Sequence, residues 1–418
     1  MPLAARLGRA GATRRGALAA LAAIVATPFG RAFAARREVG HGHHPPHHAA
    51  PPEPLVPETP AQTPIGPVAT TAQWAYAEDY TTHAMLLTKD GDTQMPPSSM
   101  TKLMTLYITY ERLASGKLKL SDTLPVSERA WKTGGSKMFV EVNTQVSVRD
   151  LISGIIVDSG NDAAIVLAEG IDGSEAQFVV EMNATAKRLG LTGSHFANCT
   201  GLPAPDHYMT CHDIARLAWH IIHDFPQYYK FDRQKTFRYS NIEQANRNPL
   251  VQNDMADGLK TGHTNAGGYG LVASAERNGR RVILVLNGMP AEIDRKQDGA
   301  RLLDWAFNNF ENVTLFTAGD VIERAPVWLG TSKDVPLVGG RDLIMTLPRG
   351  WRQSVKVTVQ YDSPVRAPIS RGDTLGSLVI TGAGSQPMTL PLLAGADVPR
   401  LGLPGRAMAV LSHYVTGH

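Results

Sequence analysis

The chain has 418 residues, 43% hydrophobic and 19% charged, with a formal net charge of +3. That length allows two or three domains, and the composition is that of an ordinary globular protein. The small net charge, with no basic patch interleaved with aromatics, argues against a nucleic-acid partner. The two cysteines, Cys199 and Cys211, form no Cys-x-x-Cys and no zinc-site spacing.

The first 34 residues read as a secretory signal peptide. Arg6, Arg9, Arg14 and Arg15 make a basic start, Gly16 to Ala26 an apolar stretch too short for a span, and Ala32-Phe33-Ala34 a cleavage site. Arg14-Arg15 leaves a twin-arginine route open, although the rest of that motif is poor. Residues 35–67 are expected to be an extended linker, because nine prolines between Pro45 and Pro67 keep it from packing. Within it lies His41-Gly42-His43-His44-Pro45-Pro46-His47-His48. Clustered imidazoles bind zinc, copper or nickel. A flexible segment holds no defined coordination geometry, so a polar tether is the preferred reading and no metal site is assigned.

The folded part is expected from Val68, with a catalytic region over 68–312. Ala84 to Thr88 reads as a strand and Asp90-Gly91-Asp92 as its turn. Pro96-Pro97 then precede Ser98-Ser99-Met100-Thr101-Lys102 and a helical run to Ser115-Gly116. Ser147 opens a helix through Ile156, Ser174 one ending at Leu189-Gly190, and Thr210 one through Ile222. The apolar runs Tyr269–Ala275 and Arg281–Val285, split by Asn278-Gly279, predict a hairpin, and a helix is expected over Asp294 to Phe310. Helices in the middle with strands at both ends predict an α/β domain on an antiparallel sheet. Short alternating runs such as Val355–Tyr361 predict a small all-β domain over 313–396. Beyond it, Ala407, Val410, Leu411, Tyr414 and Val415 recur at helical spacing, which predicts an amphipathic tail over 397–418 suited to a membrane surface, its start weakened by Pro404 and Gly405.

Chemistry concentrates in three short motifs. In a helix, Ser99 and Lys102 share a face one turn apart, at an N-terminus that favours developing negative charge. A serine becomes a nucleophile only beside a base, and a lysine is a base only where its charged form is disfavoured. Ser159-Gly160-Asn161 lies in a polar turn between two apolar runs, and Lys260-Thr261-Gly262 precedes the hairpin. Each motif alone is weak, since Ser159 could cap a helix and Asn161 could form a turn. Together, in this order, they resemble the active-site set of penicillin-binding proteins and serine β-lactamases. The similarity is greater to the low-molecular-weight D-alanyl-D-alanine carboxypeptidases, over about residues 74 to 390. It includes Gly135-Ser136-Lys137-Met138-Phe139, Asp158 to Ala163, Gly201-Leu202-Pro203, Lys260 to Thr264 and Leu347-Pro348-Arg349-Gly350.

This resemblance implies a β-lactamase/transpeptidase-like catalytic domain followed by a small all-β domain. It implies that Ser99 attacks the bond between two D-alanines of a peptidoglycan stem peptide, with Lys102 as base and Ser159 as proton relay. Asn161 would bind the substrate backbone and Lys102, Lys260 and Thr261 the terminal carboxylate, and Gly262 would leave room along the strand. The backbone N–H groups of Ser99 and His263 would form the oxyanion hole, with no role for the His263 side chain. No cofactor is implied, β-lactams would be covalent inhibitors, and the location would be periplasmic, on the outer face of the inner membrane if the tail binds there.

Three other readings share these motifs. A class A β-lactamase would carry Ser-Asp-Asn and a later glutamate, but Gly160 stands in the motif and Leu189 to Pro205 contains no glutamate. A D,D-endopeptidase generally lacks the C-terminal β domain, and a silent peptidoglycan-binding module has no need of complete motifs. Cys199 and Cys211 depart from the family pattern. In a secreted chain they could pair or stay as free buried thiols, and the sequence leaves both open.

Overall fold

The structure is a computed structural model that describes residues 59–382 and 385–416. The expected signal peptide over 1–34 and the histidine cluster lie outside these residues. All the described residues belong to the unit Leu55–His418.

Five antiparallel strands form the central sheet, in the order Met85–Lys89, Trp74–Asp79, Arg280–Met289, Gly268–Arg277, Gly258–Thr264. Asn278 and Gly279, at φ 52° and 77°, make the expected tight turn between the two longest strands. Both faces of the sheet are covered. Ile283 and Val285 point into a core built with the helices Lys102–Ala114, Val148–Ile156, Asn161–Asp172, Glu175–Leu189 and Cys211–Asp224. Their neighbours Val282, Leu284 and Leu286 face a second core with Leu302, Leu303 and Phe307 of the helix Asp294–Asn309. Burial on both sides explains why the strand reads as an unbroken apolar run instead of an alternating one.

The helices start where side-chain oxygens accept orphan backbone N–H groups. Ser147 accepts from Asp150, Ser174 from Gln177 and Thr210 from Asp213. Each such cap contributes about 1 kcal/mol. The Lys102–Ala114 helix is buried on every side from Lys102 to Tyr110, so it forms the middle of the domain.

Two boundaries differ from the sequence reading. The fold begins before Val68, because Ala61 pairs with Val68 and Gln62 with Thr88 at the sheet edge. These two residues keep the N–H that Pro60, Pro64 and Pro67 lack, so an edge pairing forms between prolines. The C-terminal β domain runs from Phe310 to Arg400 instead of 313–396. Its first strand pairs Phe310 with Pro348, and its last bridges join Val398 to Ile369 and Arg400 to Gly330. One six-stranded and one two-stranded sheet enclose Ala325, Val335, Leu337, Leu347, Leu378 and Leu392. Asn312 donates to Asp79 at 3.0 Å and Arg280 donates to the Phe310 carbonyl at 2.8 Å, which ties this domain to the catalytic one.

The tail therefore starts after Arg400 and forms a helix over Leu403–Thr416. Pro404 and Gly405 do not prevent it: Pro404 is the second residue, where a missing N–H costs nothing. Leu403, Met408, Leu411 and Tyr414 are exposed.

Candidate active site

Pro97 leads into one 3-10 turn, Ser98–Thr101, and the α-helix begins only at Lys102. Ser99 thus sits in the turn before the helix, yet the three-residue spacing still places it beside Lys102, with Nζ to Oγ at 3.0 Å. Ser98 adopts a positive φ of 51°, held by a 2.9 Å hydrogen bond between its hydroxyl and that of Thr264. The turn is wedged between two glycines. A Cβ on Gly201 would lie 1.8 Å from the Ser98 carbonyl oxygen, and one on Gly262 would lie 3.1 Å from the Pro97 carbonyl and from Ser98 Cβ. A side chain at Gly262 would therefore crowd the Ser98 turn, and Gly262 also lines the cavity that holds Ser99.

Lys102 is fully buried. Its Nζ donates to Asn161 Oδ1 at 2.7 Å and to the Thr200 carbonyl at 2.6 Å. Burial pulls its pKa down to about 7, with the Arg247 charge lowering it further. In the neutral amine the two N–H bonds are directed by Asn161 and Thr200, so the lone pair faces Ser99 Oγ. Asn161 is fixed in turn by its Nδ2, which donates to the Gly134 carbonyl at 2.7 Å. Asp162 secures the adjoining wall by accepting the backbone N–H groups of Met138, Phe139 and Val140.

A second serine–lysine pair faces the first. Lys260, also buried, donates to Ser159 Oγ at 2.9 Å and to the Thr261 carbonyl at 3.1 Å. Ser159 reaches it from a left-handed turn, φ 58°, between two helices. Burial and then the Lys102 charge hold the Lys260 pKa well below its ordinary value. The two lysines thus compete for charge. A carboxylate arriving beside Lys260 favours protonation there and so keeps Lys102 neutral.

Ser99, Ser159, Thr261, Gly262 and His263 line one cavity of about 380 Å³, together with Arg247 and Arg295. The His263 ring stacks on Tyr269 at 4.1 Å, a packing role compatible with the absence of a chemical one. The sequence reading missed both arginines. Arg295 is buried and donates to the carbonyls of Gly262 at 2.6 Å and Gly270 at 3.1 Å; it also pairs at 3.2 Å with Glu292, so the cavity wall carries two guanidinium groups and one carboxylate. Neither arginine sits in a recognisable spacing, so no local signal could have found it. Thr200 was missed for a plainer reason, since it acts through its backbone carbonyl. His207 positions that segment: its Nδ1 accepts from Ala197 N at 3.0 Å, so its Nε2 carries the proton and donates to Thr101 Oγ1 at 2.8 Å. Burial lowers the His207 pKa to about 4.

The family described as D-alanyl-D-alanine carboxypeptidase matches residues 59–290, and that described as penicillin-binding protein 5, C-terminal domain, matches 310–400. The chain belongs to the D-alanyl-D-alanine carboxypeptidase family. It is 37% identical over 349 residues to D-alanyl-D-alanine carboxypeptidase DacA of Haemophilus influenzae, covering 82% of this chain and 89% of that one. It is 36% identical over 337 residues to DacC of Escherichia coli, covering 78% and 84%. Among solved structures, penicillin binding protein 5 from Haemophilus influenzae superposes with a TM-score of 0.70 at 37% identity, covering 80% of this chain and 99% of that one.

The two cysteines are free, buried thiols. Cys199 is part of the segment that presents Thr200 to Lys102. Its N–H and thiol both donate to Glu175 Oε1, at 3.1 and 3.2 Å, and burial pushes its pKa up to about 12. It is therefore inert packing and not a second nucleophile.

Proposed function

We propose that this protein is a serine-type D-Ala-D-Ala carboxypeptidase that removes the terminal D-alanine from peptidoglycan stem pentapeptides and is acylated by penicillins at Ser99. The observation that carries this reading is the convergence of two serine–lysine pairs, Ser99–Lys102 and Ser159–Lys260, on one cavity whose wall holds both serines, Arg247 and Arg295, with Glu292 as its one carboxylate. The substrate carboxylate is drawn to Thr261, Lys260, Arg247 and Arg295. Neutral Lys102 takes the Ser99 proton as Oγ bonds to the carbonyl carbon. The backbone N–H groups of Ser99 and His263 stabilise the oxyanion. The C–N bond then breaks, with a proton passing to the departing amine through Ser159. Water attacks the acyl-enzyme, Lys102 again accepts a proton, and Ser99 is released.

The test pairs fluorescent penicillin labelling with measurement of D-alanine released from a defined pentapeptide. Stable labelling with D-alanine release is the expected result. Labelling that is shed within seconds would mean a β-lactamase, and neither labelling nor turnover would mean a silent binding module. The domain over 310–400 disfavours the endopeptidase reading, since such enzymes generally lack it.

We further propose a periplasmic location, reached through the signal peptide, with the Leu403–Thr416 helix lying in the surface of the inner membrane. Its exposed apolar residues support this. Among the described residues no helix is long and apolar enough to cross a membrane. In flotation with anionic liposomes, the mature protein is expected to float and a form ending at Arg400 to stay in solution. If both stay in solution, the helix is not an anchor.

A further inference from the structure

Asp232 is 1% exposed, and neither of its carboxylate oxygens has a hydrogen-bond partner among the described residues. A buried acid left without a partner costs stability, so its presence calls for a reason other than packing. No step of the reaction given so far uses it. Asp232 lies in the 3-10 turn Lys230–Arg233, which packs against the start of the strand that carries Lys260. A Cβ on Gly258, two residues before Lys260, would lie 3.2 Å from Asp232 Cβ.

Lys260 is surrounded by positive charge. Lys102, Arg247 and Arg295 each act to discharge it, and Asp232 acts the other way. Asp158, beside Ser159, also faces Lys260, but Arg247 acts on Asp158 more strongly. The other groups that face Asp232 are Tyr110, Tyr229 and Asp257. Burial keeps both tyrosines neutral, and Asp257 is already held by Arg281 at 2.8 Å and Arg233 at 3.2 Å. Among the groups that act on Asp232, Lys260 alone is a cation. Burial by itself would leave the acid protonated and the amine neutral. Side by side, each supplies the opposite charge that the other lacks.

We propose that Asp232 is a positioning residue for the reaction: its buried carboxylate holds positive charge on Lys260, and Lys260 in turn keeps Lys102 neutral. Asp232 touches neither Ser99 nor the substrate. It acts from behind the strand, on the side away from the cavity, and so it works before any carboxylate arrives from solvent. When the substrate's carboxylate reaches Lys260, it meets an ammonium group that is already charged. This inference rests on the carboxypeptidase reading.

Asp232→Asn keeps the shape of the side chain and removes its charge. The test is the pH profile of kcat/KM for a defined pentapeptide, with the full-length mature enzyme. In the wild type the profile is expected to rise near pH 7 as Lys102 loses its proton, then to stay level while Lys260 keeps its charge. In the variant Lys260 should lose its proton about one pH unit sooner, and the pKa of Lys102 should rise once that neighbouring charge is gone. The two limbs then approach each other, and the maximum falls roughly tenfold. Tm is expected not to fall, because asparagine buries no charge. A packing defect would instead lower kcat/KM by one factor at every pH. Limbs that stay in place in the variant, whatever the height of the profile, overturn the proposal. The wild type gives a second answer if the variant does not fold. A profile that drops directly after its rise near pH 7 would mean that nothing holds charge on Lys260. Peptide turnover and penicillin labelling of the wild type test the carboxypeptidase reading separately, so unmoved limbs with both intact defeat only this inference.

Discussion

Ser99→Ala is expected to abolish D-alanine release and penicillin labelling together, a loss on the order of 10⁴-fold or more, as for removal of other serine nucleophiles. The fold should survive. Ser99 Oγ is only one of three hydrogen-bond partners of Lys102 Nζ, so the lost hydrogen bond costs about 1 kcal/mol. Mass spectrometry of the penicillin-treated wild type should place the adduct on Ser99. Its neighbour Ser98 is buried and its hydroxyl is engaged by Thr264, so an adduct there would overturn the assignment of the nucleophile.

The second large effect concerns the charge on Lys102. Its pKa is lowered to about 7, and only the neutral form accepts a proton from Ser99. Below pH 7 the neutral fraction rises about tenfold per pH unit, and above it the fraction saturates. Acylation by penicillin should therefore climb with pH along one ionisation near 7 and then level. A rate that kept rising toward pH 10 would mean that Lys102 titrates as an ordinary lysine and is not the base. Lys102→Arg keeps the positive charge but cannot release its proton, so acylation should fall by on the order of 10²- to 10⁴-fold. A retained rate in a folded variant would remove Lys102 from the mechanism. The wild-type pH profile gives an independent answer if the larger guanidinium disturbs the buried site.

The chemistry that acts over one helical turn was legible from residues alone. Ser99 and Lys102 are three apart, and helix geometry brings them together whatever the remainder of the chain does. The caps at Ser147, Ser174 and Thr210 and the Asn278-Gly279 turn are local in the same way, because each depends on hydrogen bonds or backbone angles within four residues. Recognition of Ser159 and Lys260 was of a different kind. Nothing local joins residues 101 apart, and they were picked out because their order with Ser99 resembled a known set.

Only the tertiary structure brought Ser159 to Lys260 and Asn161 and Thr200 to Lys102. It also placed Arg247 and Arg295 in the wall of the cavity that holds Ser99 and Thr261. Contacts between distant segments leave no periodicity in the sequence, and a backbone carbonyl such as that of Thr200 leaves no residue signal at all. The strand Trp74–Asp79 shows the same limit within the fold. Its alternate alanines and acidic end carry little strand preference, yet it pairs with Met85–Lys89 on one side and Arg280–Met289 on the other. The depressed charge on Lys102 was likewise expected from the chemistry that it must perform. What produces it is complete burial in a packed core, which depends on where the helix Lys102–Ala114 sits and not on which residues compose it.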